Sequence, residues 1–291
     1  MAPDIALVTL RPQPGIGTDR DLPRIRQAVD DAGGRARVVC WDDPDVDWGG
    51  FDLVVIRSPW DYVLRAPEFL AWAGRVAAVT RLANPVDVVR WNADKGYVGE
   101  LARGGVPVVP TVYVGPGGGD GLPPFDRDFV VKPTVGGGAH LAARYRTDER
   151  PAALTHVARL HAEGRTAMAQ PYLPGVDVTG ERALVFLGGD FLHAIRKGAV
   201  LAPGVAYDEE KVSHPDVAVW HPTDAELAVA GRALAAVPGA PDLLYARVDL
   251  VDGLDGEPCV MELELVEPNL FLDVHPASLP LVAERFVKAA Q

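Results

Sequence analysis

Acidic residues alternate with apolar ones in two short segments near the carboxyl terminus. They are Asp249 in the first segment and Glu262 and Glu264 in the second. An Asp-Gly dipeptide at 255–256 is typical of a two-residue hairpin turn. A hairpin centred on it would pair Asp249 with Glu262 and Arg247 with Glu264. We therefore expect the three carboxylates to lie on one face of a two-stranded ribbon.

Like charges that face each other across two strands are destabilising, so this crowding favours a bound cation. Carboxylate oxygens are hard ligands, and they favour Mg²⁺ or Mn²⁺ over zinc. The opposite face of the same strands is apolar, which indicates a hairpin with one face in the core. The alternative is an acidic face that only water contacts.

A second pattern joins a lysine to a glycine loop. Lys132 ends the apolar run 129–131 and is followed closely by Gly136–Gly138. A lysine charge in a cleft is costly without an anion, and glycines let backbone N–H groups approach a ligand. The pattern predicts a phosphate cradle, with an ordinary strand end and turn as the alternative. Another glycine run, Gly117–Gly119, has no strand and lysine before it and is interpreted as a loop tip.

Two known nucleotide signatures are missing from the sequence. Neither the P-loop pattern GxxxxGK[ST] nor the dinucleotide pattern GxGxxG is present. The absence of the second pattern after the first predicted strand argues against a dehydrogenase.

Two further segments give weaker signals. Lys95 lies beside Asn92 and Asp94 at the predicted start of a helix, 93–103, which either of those residues could cap. Gln170–Leu173 follows a short apolar strand and could offer backbone groups to an adenine edge, although a linker between lobes looks similar.

Polar and aromatic residues also follow the third predicted strand, Leu53–Ile56. Ligands of open α/β sheets bind beyond the carboxyl ends of the strands. There Arg57 could bind a carboxylate bidentately, Trp60 could form a wall, and Asp61 could pair with an ammonium group. An amino-acid site requires these three features. The alternative is a structural loop with Trp60 in the core.

Three parts are expected along the chain. Residues 1–85 alternate strands and helices up to the break at Asn84-Pro85, which predicts an α/β domain with a small parallel sheet. A central lobe, 86–170, holds Lys132, and a carboxyl-terminal lobe, 171–291, holds the acidic hairpin.

The last lobe contains a second predicted hairpin. It joins 181–187 to 190–197 through two glycines, which would place Glu181 opposite Arg196. A helix over 223–237 follows, with Thr223 as its expected cap.

Composition narrows the class of protein. The chain of 291 residues is 48% hydrophobic and carries a formal net charge of −12. This charge argues against general binding to nucleic acid or to an anionic membrane surface, but not against an anionic small ligand. Cys40 and Cys259 are the only cysteines and form no CxxC motif, which fits a reducing cytoplasm. With no signal peptide and no apolar run of membrane-spanning length, a cytoplasmic protein is expected.

The order of these segments, from about residue 84 to residue 269, resembles the ATP-grasp superfamily of ligases. The resemblance implies α+β lobes: an N-terminal parallel α/β domain followed by two lobes that clamp ATP. It implies ATP and Mg²⁺, or Mn²⁺, as cofactors. It further implies that a carboxylate is activated as an acyl phosphate and that a C–N bond then forms, with release of ADP and phosphate.

The resemblance also implies roles for individual residues. The implied nucleotide contacts are Lys95, Lys132, Gly136 and Gly137 for the phosphates, Gln170, Tyr172 and Leu173 for the adenine, and Asp177 or the competing Glu181 for the ribose. The resemblance implies Arg196 as the catalytic contact to the transferring phosphoryl group or the acyl phosphate. Arg247 lies beside the acids and is a second catalytic candidate that could hold the substrate carboxylate or stabilise the oxyanion, with a salt bridge to Glu264 as the alternative.

The metal ligands that the resemblance implies are Asp249, Glu262 and Glu264. The usual family pattern is Glu-x-Asn, which this chain spells only at 267–269, so Asn269 is a second candidate. We prefer the earlier pair because proline inside a paired strand is disfavoured.

Within the superfamily, the segments 57–62, 90–95 and 261–268 are similar to the O-ureido-serine cyclo-ligases of cycloserine biosynthesis. This similarity implies antibiotic biosynthesis, a small amino-acid-like substrate, and ring closure by attack of an internal nitrogen. An intermolecular amino-acid or peptide ligase and a nucleotide-binding module without catalysis remain alternatives. Whether the chain forms a homo-oligomer stays open.

Overall fold

The computed structural model describes residues 1–13, 17–117, 121–209, 211, 216–239 and 241–291. Two of the three glycines in the predicted loop tip, Gly118 and Gly119, lie outside the described residues. Within these ranges no helix is both long enough and apolar enough to cross a membrane.

Strands and helices alternate in the first part of the chain, whereas many of the later strands follow one another directly. The strands are β1 Asp4–Thr9, β2 Arg35–Cys40, β3 Leu53–Ser58, β4 Leu82–Ala83, β5 Val112–Val114, β6 Phe129–Pro133, β7 Ala143–Tyr145, β8 Ala167–Pro171, β9 Glu181–Leu187, β10 Asp190–Lys197, β11 Ala218–Trp220, β12 Tyr245–Asp252 and β13 Pro258–Glu264. The α-helices are α1 Leu22–Asp31, α2 Ala66–Ala77, α3 Val86–Asn92, α4 Tyr97–Arg103, α5 Arg150–Ala162, α6 Gly175–Val178, α7 Asp224–Ala235 and α8 Ser278–Ala289.

The first sheet is parallel, with the order β2-β1-β3-β4, as the alternating pattern predicts. Side chains on one face, such as Ile5 and Leu53, share a core with α1, and those on the other face, such as Val8 and Ile56, share a core with α2. Both faces are therefore covered, which explains why β3 is buried along its whole length.

The end of the chain returns to this first sheet. Helix α8 packs beside α1, and its residues Val282 and Phe286 lie in the same core as Ile25. The N-terminal part is therefore completed by the last helix.

The other two sheets are antiparallel. One has the order β5-β8-β6-β7 with α5 against it, and the other has the order β11-β10-β9-β12-β13 with α7 against it. We call them the central sheet and the third sheet. Tyr97 and Leu101 of α4 share a core with Leu263 of the third sheet. The domain bounds 1–85, 86–170 and 171–291 stay predictions.

The acidic hairpin, β12 and β13, has the predicted register but not the predicted turn. Asp249 pairs with Glu262 and Arg247 with Glu264. The two-residue turn is wrong, because the strands are joined by the loop 253–257. An irregularity at Met261 inserts one unpaired residue and offsets the loop of odd length.

The second hairpin, β9 and β10, differs from the prediction by one residue. Arg196 pairs with Arg182, and Lys197 pairs with Glu181. The expected pairing of Glu181 with Arg196 is wrong because a bulge at Leu192 shifts the register. Since side chains alternate along a strand, this shift moves Arg196 to the opposite face.

The predicted helix 93–103 is interrupted. The chain turns between α3 and α4, and Lys95 lies in that turn. Asp94 accepts the backbone N–H of Gly96 at 2.8 Å, whereas Asn92 bonds to β13 and caps no helix. The cap at Thr223 is confirmed: its hydroxyl accepts the backbone N–H of Glu226.

Candidate active site

Most of the predicted site residues line one pocket between the central sheet and the third sheet. These residues are Lys95, Lys132, Gly136, Gly137, Gln170, Tyr172, Leu173, Glu181, Arg247, Asp249, Glu262 and Glu264. They come from segments up to 169 positions apart in the chain, so the fold brings together residues that local patterns predicted separately.

The two lysines approach the glycine loop from different elements. Lys132 lies near the end of β6, and Lys95 lies in the turn between α3 and α4. The backbone N–H of Lys95 donates to the carbonyl of Thr134 at 2.9 Å, and its Nζ donates to the carbonyl of Gly136. This bonding places the Lys95 ammonium group beside the loop that follows Lys132 in the chain.

Glu262 is balanced by both lysines. Lys132 Nζ lies 2.6 Å from Glu262 Oε1, and Lys95 Nζ lies 4.0 Å from Oε2. Burial opposes ionisation, but Lys132 and Lys95 lower the pKa of Glu262 to about 2. Glu262 is therefore a carboxylate at neutral pH.

Asp249 is balanced by two other basic groups. Lys197 Nζ lies 2.6 Å from Asp249 Oδ2, while Arg247 donates through Nε and Nη2 at 2.7 and 2.9 Å. Burial alone would raise the pKa of Asp249, but these two cations hold it well below its usual range. Lys197 also lies 3.1 Å from Glu181, so one ammonium group serves two carboxylates.

Glu264 is less well balanced than its neighbours. It pairs with Arg247, so the salt bridge considered for these residues is present. The same guanidinium already serves Asp249. Burial, together with the charges of Asp249 and Glu262, raises the pKa of Glu264 to about 7.

The charge balance corrects one step of the sequence argument. Among the described residues, no group of three His, Cys, Asp or Glu side chains is arranged to hold a metal ion. The crowded carboxylates are balanced by lysine and arginine, so their crowding does not by itself require a bound cation. The donor set still suits a hard cation, since carboxylate oxygens face the pocket and the Lys132 ammonium lies where a cation contacts Glu262. The metal-binding role of Asp249, Glu262 and Glu264 stays a prediction.

Asn269 does not reach the pocket lining. Its side-chain oxygen accepts the backbone N–H of Phe271 at 2.8 Å, and its carbonyl accepts from Arg247 Nη1 at 3.2 Å. The asparagine thus stabilises its own turn and helps to orient Arg247.

The opposite end of the pocket is mainly apolar. Val109, Val130, Leu201 and Met261 line it together with Tyr172. This lining gives the flat, apolar walls that an adenine ring needs.

The polar groups at this end are already engaged. The Gln170 amide donates to Thr111 Oγ1 at 2.9 Å. The Tyr172 hydroxyl donates to Asp177 at 2.6 Å, and Asp177 is exposed outside the pocket lining. Of the two ribose candidates, only Glu181 lines the pocket.

Arg196 is one of the predicted residues that the fold does not bring to the pocket. It is half-buried and absent from the lining, whereas Lys197 is buried and lines it. Sequence reasoning missed Lys197 because it assigned the wrong register. A lysine next to the predicted arginine was the only available signal.

The N-terminal candidates also lie outside the lining. Arg57 is buried, donates to the carbonyl of Pro268 at 3.2 Å and lies 3.5 Å from Asp19. Asp61 accepts the indole N–H of Trp41 at 2.9 Å and pairs with Arg65 at 3.3 Å. Trp60 is partly exposed and not part of the core. Their substrate-binding roles stay predictions.

Comparison with known protein sequences gives two matches. Residues 5–84 match the family described as D-cycloserine synthetase DcsG, N-terminal domain. Over 270 residues the chain is 43% identical to the cycloserine biosynthesis protein DcsG of Streptomyces lavendulae, and the match covers 87% of this chain and 88% of that protein.

Comparison with solved structures agrees. The crystal structure of D-cycloserine synthetase DcsG is 39% identical, has a TM-score of 0.89, and covers 99% of this chain and 100% of that one. A D-alanine–D-alanine ligase from Bacillus anthracis is 13% identical with a TM-score of 0.68, over 100% of this chain and 97% of that one. A RimK-domain ATP-grasp protein from Sphaerobacter thermophilus is 18% identical with a TM-score of 0.65, over 98% of each chain. The last two show the fold alone.

Proposed function

This chain belongs to the DcsG family of ATP-grasp carbon–nitrogen ligases, and we propose that it uses ATP to close a ring in a small amino-acid-like substrate. The product that fits the names of its relatives is cycloserine. The observation that supports this proposal best is the single pocket that unites two lysines, the glycine loop and three carboxylates.

The proposed reaction has two steps. A carboxylate oxygen of the substrate attacks the terminal phosphorus of ATP, which gives an acyl phosphate and ADP. A nitrogen of the same molecule then attacks the acyl carbon, a C–N bond forms, phosphate leaves and the nitrogen loses a proton. Phosphoryl transfer of this kind depends on alignment and on neutralisation of charge, which charged side chains can supply.

Lys95 and Lys132 are the proposed phosphate ligands. Lys132 contacts Glu262, and Lys95 contacts both Glu262 and the glycine loop. Both side chains are flexible and can turn to phosphate oxygens. Asp249, Glu262 and Glu264 would hold Mg²⁺, which supplies neutralisation of the phosphate charge when it is bound. The lysines would turn to the phosphates and Mg²⁺ would take their place beside the carboxylates, so every carboxylate would keep a cation beside it.

Arg247 is the proposed contact to the reacting carboxylate or to the oxyanion that forms from it. Its guanidinium is buried, fixed bidentately by Asp249, and part of the pocket lining. A donor that is already oriented stabilises a developing charge without further ordering. Lys197 takes the place predicted for Arg196 at the phosphate end, because it lines the pocket and Arg196 does not.

Arg57 remains the proposed residue for the substrate side of the N-terminal part. Its Nε has no hydrogen-bond partner among the described residues, and it lies near the carboxyl end of the buried strand β3. Asp61 is less suited to an ammonium group, because Trp41 and Arg65 already occupy its oxygens.

The test is a screen for substrate-stimulated ADP release. The purified chain is incubated with ATP, Mg²⁺ and the D- and L-forms of O-ureido-serine and related amino acids, and the products are identified by mass spectrometry. We expect ADP, phosphate and a ring-closed product. That product is lighter than the substrate by one water while any group on the attacking nitrogen is kept, and for O-ureido-serine converted to cycloserine it is lighter by one water plus the HNCO of the carbamoyl group, which water removes as carbon dioxide and ammonia. Formation of AMP and pyrophosphate would contradict the acyl-phosphate route.

The same screen separates the alternatives. An intermolecular ligase would yield a product that combines two amino acids. A binding module would bind ATP, lose that binding in Lys132→Ala, and never turn over. Lys288→Ala is the matched control, since Lys288 is exposed on α8 and is not part of the pocket lining.

A further inference from the structure

Arg165 lies between two loops that belong to different parts of the molecule. It is placed between α5 and β8, and its side chain is mostly buried. Its Nη1 lies 3.3 Å from the carbonyl oxygen of Val63 and 3.5 Å from that of Val135. One guanidinium nitrogen carries two hydrogens, so it can donate to both carbonyls at once. Glu163 holds the Nε of the same side chain at 3.1 Å.

The two carbonyls mark functionally different loops. Val63 belongs to the short 3-10 turn Trp60–Leu64 of the N-terminal part. Val135 begins the glycine loop, whose next three residues line the pocket. The loops also lie close together, since a Cβ added to Gly137 would lie 3.9 Å from Val63 Cγ1.

The base of the glycine loop is anchored independently. The backbone N–H of Thr134 donates to the carbonyl of Thr166 at 3.0 Å, and the carbonyl of Thr134 accepts from Lys95. Arg165 is therefore not needed to attach the loop to the central sheet. Its distinctive contact is the one to Val63, across the boundary with the N-terminal part.

The turn around Val63 also contacts the segment that follows the acidic strand β13. The phenol of Tyr62 is buried and interacts with the carboxyl group of Glu267, which follows β13. Arg57, just before the turn, donates to the carbonyl of Pro268. The turn thus contacts the segment after the carboxylates on one side and, through Arg165, the glycine loop on the other.

We propose that Arg165 is a positioning residue that fastens the glycine loop to the turn 60–64, so that the two close over the pocket as one unit. This proposal rests on the proposed function, in which the loop covers the phosphates. Without the fastening, nucleotide is held less tightly and water reaches the acyl phosphate. Attack of water on the acyl carbon then returns the carboxylate and phosphate, and ADP forms without product.

The test compares Arg165→Gln with Arg159→Gln. Arg159 is a matched control because it also pairs with Glu163, at 2.8 Å, but is largely exposed on α5. We expect the Kd for a non-hydrolysable ATP analogue with Mg²⁺ to rise about tenfold in Arg165→Gln and to stay within about twofold in Arg159→Gln. We also expect the ratio of ADP to ligated product to rise above one only in Arg165→Gln, with partial rescue in Arg165→Lys.

Three outcomes would overturn the proposal. One is equal behaviour of the two glutamine variants. Another is a fall in the melting temperature of Arg165→Gln with no change in the ADP-to-product ratio, which would indicate a structural role alone. The third is one ligated product for every ADP in Arg165→Gln, because water would then be excluded from the acyl phosphate without Arg165. Failure of the proposed function is a separate result, since the wild-type chain would then release no ADP with any substrate.

Discussion

Lys197 occupies the charged centre of the pocket. Its ammonium group is shared by Asp249 and Glu181, at 2.6 and 3.1 Å. Burial alone would lower the pKa of Lys197, but these two carboxylates hold it above its usual value. The sequence pointed to Arg196 instead, because residue types around Leu192 give no sign of where a strand bulges.

Mutations can test whether Lys197, and not Arg196, acts in the pocket. We expect Lys197→Met to lower kcat/KM for ATP at least about 100-fold, because the buried Asp249 and the partly buried Glu181 lose their shared cation. Arg196→Met should keep kcat/KM within about twofold. Steady-state kinetics on both variants decide the point, and a larger loss in Arg196→Met would contradict the observed placement.

The fold of the Lys197→Met protein must be checked separately. We expect its free energy of unfolding in urea to fall by about 3 kcal/mol, since Glu181 loses its cation and the buried Asp249 keeps only Arg247. Lys197→Arg keeps the positive charge but changes the shape of the side chain. Comparison of the two variants therefore separates the effect of the lost charge from that of the changed side-chain shape.

At the scale of single residues, the sequence predicts a site residue when its immediate neighbours form a recognisable pattern. Lys132 beside its glycine loop and the alternating acids both line the pocket as expected. Their mutual pairing could not be predicted, because Lys132 and Glu262 are 130 residues apart and meet only when two sheets pack together.

At the scale of the elements, β13 is the edge strand that carries Glu262 and Glu264. Asn92 holds its outer side: the amide donates to the carbonyl of Leu263 and accepts the N–H of Leu265, both at 2.7 Å. A single side chain therefore satisfies two backbone groups that an edge strand would leave unpaired.

Removal of this amide should loosen the acidic strand. We expect Asn92→Ala to lower the free energy of unfolding by about 3 kcal/mol, because two buried backbone groups lose their partners. Asp87→Ala is the control on the same helix, where the side chain is exposed, and it should change stability by less than about 0.5 kcal/mol. Equal losses in urea denaturation would show that the amide does not brace the strand.

Element types and order follow from the sequence more readily than registers do. The parallel first sheet and both hairpins were predicted from periodicity and turn residues. The register of each hairpin depended on a single unpaired residue. Met261 compensated for a longer loop, so the predicted pairing of β12 with β13 was kept, whereas Leu192 shifted the pairing of β9 with β10 by one residue. The interruption at Lys95 was missed because the side chain of Asn92 bonds to the distant acidic strand, and Asp94 bonds both to Gly96 in the turn and to the distant Thr134.

At the scale of the whole molecule, the first and third sheets form one framework. The Asn84 amide donates to the carbonyls of Tyr245 and Leu265 at 2.9 and 2.8 Å, and the Tyr245 hydroxyl donates to the carbonyl of Ile56 at 2.8 Å. Helix α8 adds apolar packing to the same framework. The acids therefore belong to this framework and Lys132 to the central sheet, so a triphosphate bound between them would bridge the two.

A crystal structure of the chain with a non-hydrolysable ATP analogue and Mn²⁺ tests this account most directly. We expect phosphates between Lys95, Lys132 and the glycine loop. We also expect an anomalous signal from Mn²⁺ within about 2.5 Å of carboxylate oxygens of Asp249, Glu262 or Glu264. Nucleotide bound elsewhere, with Lys132 still paired to Glu262 and no manganese beside the acids, would contradict it.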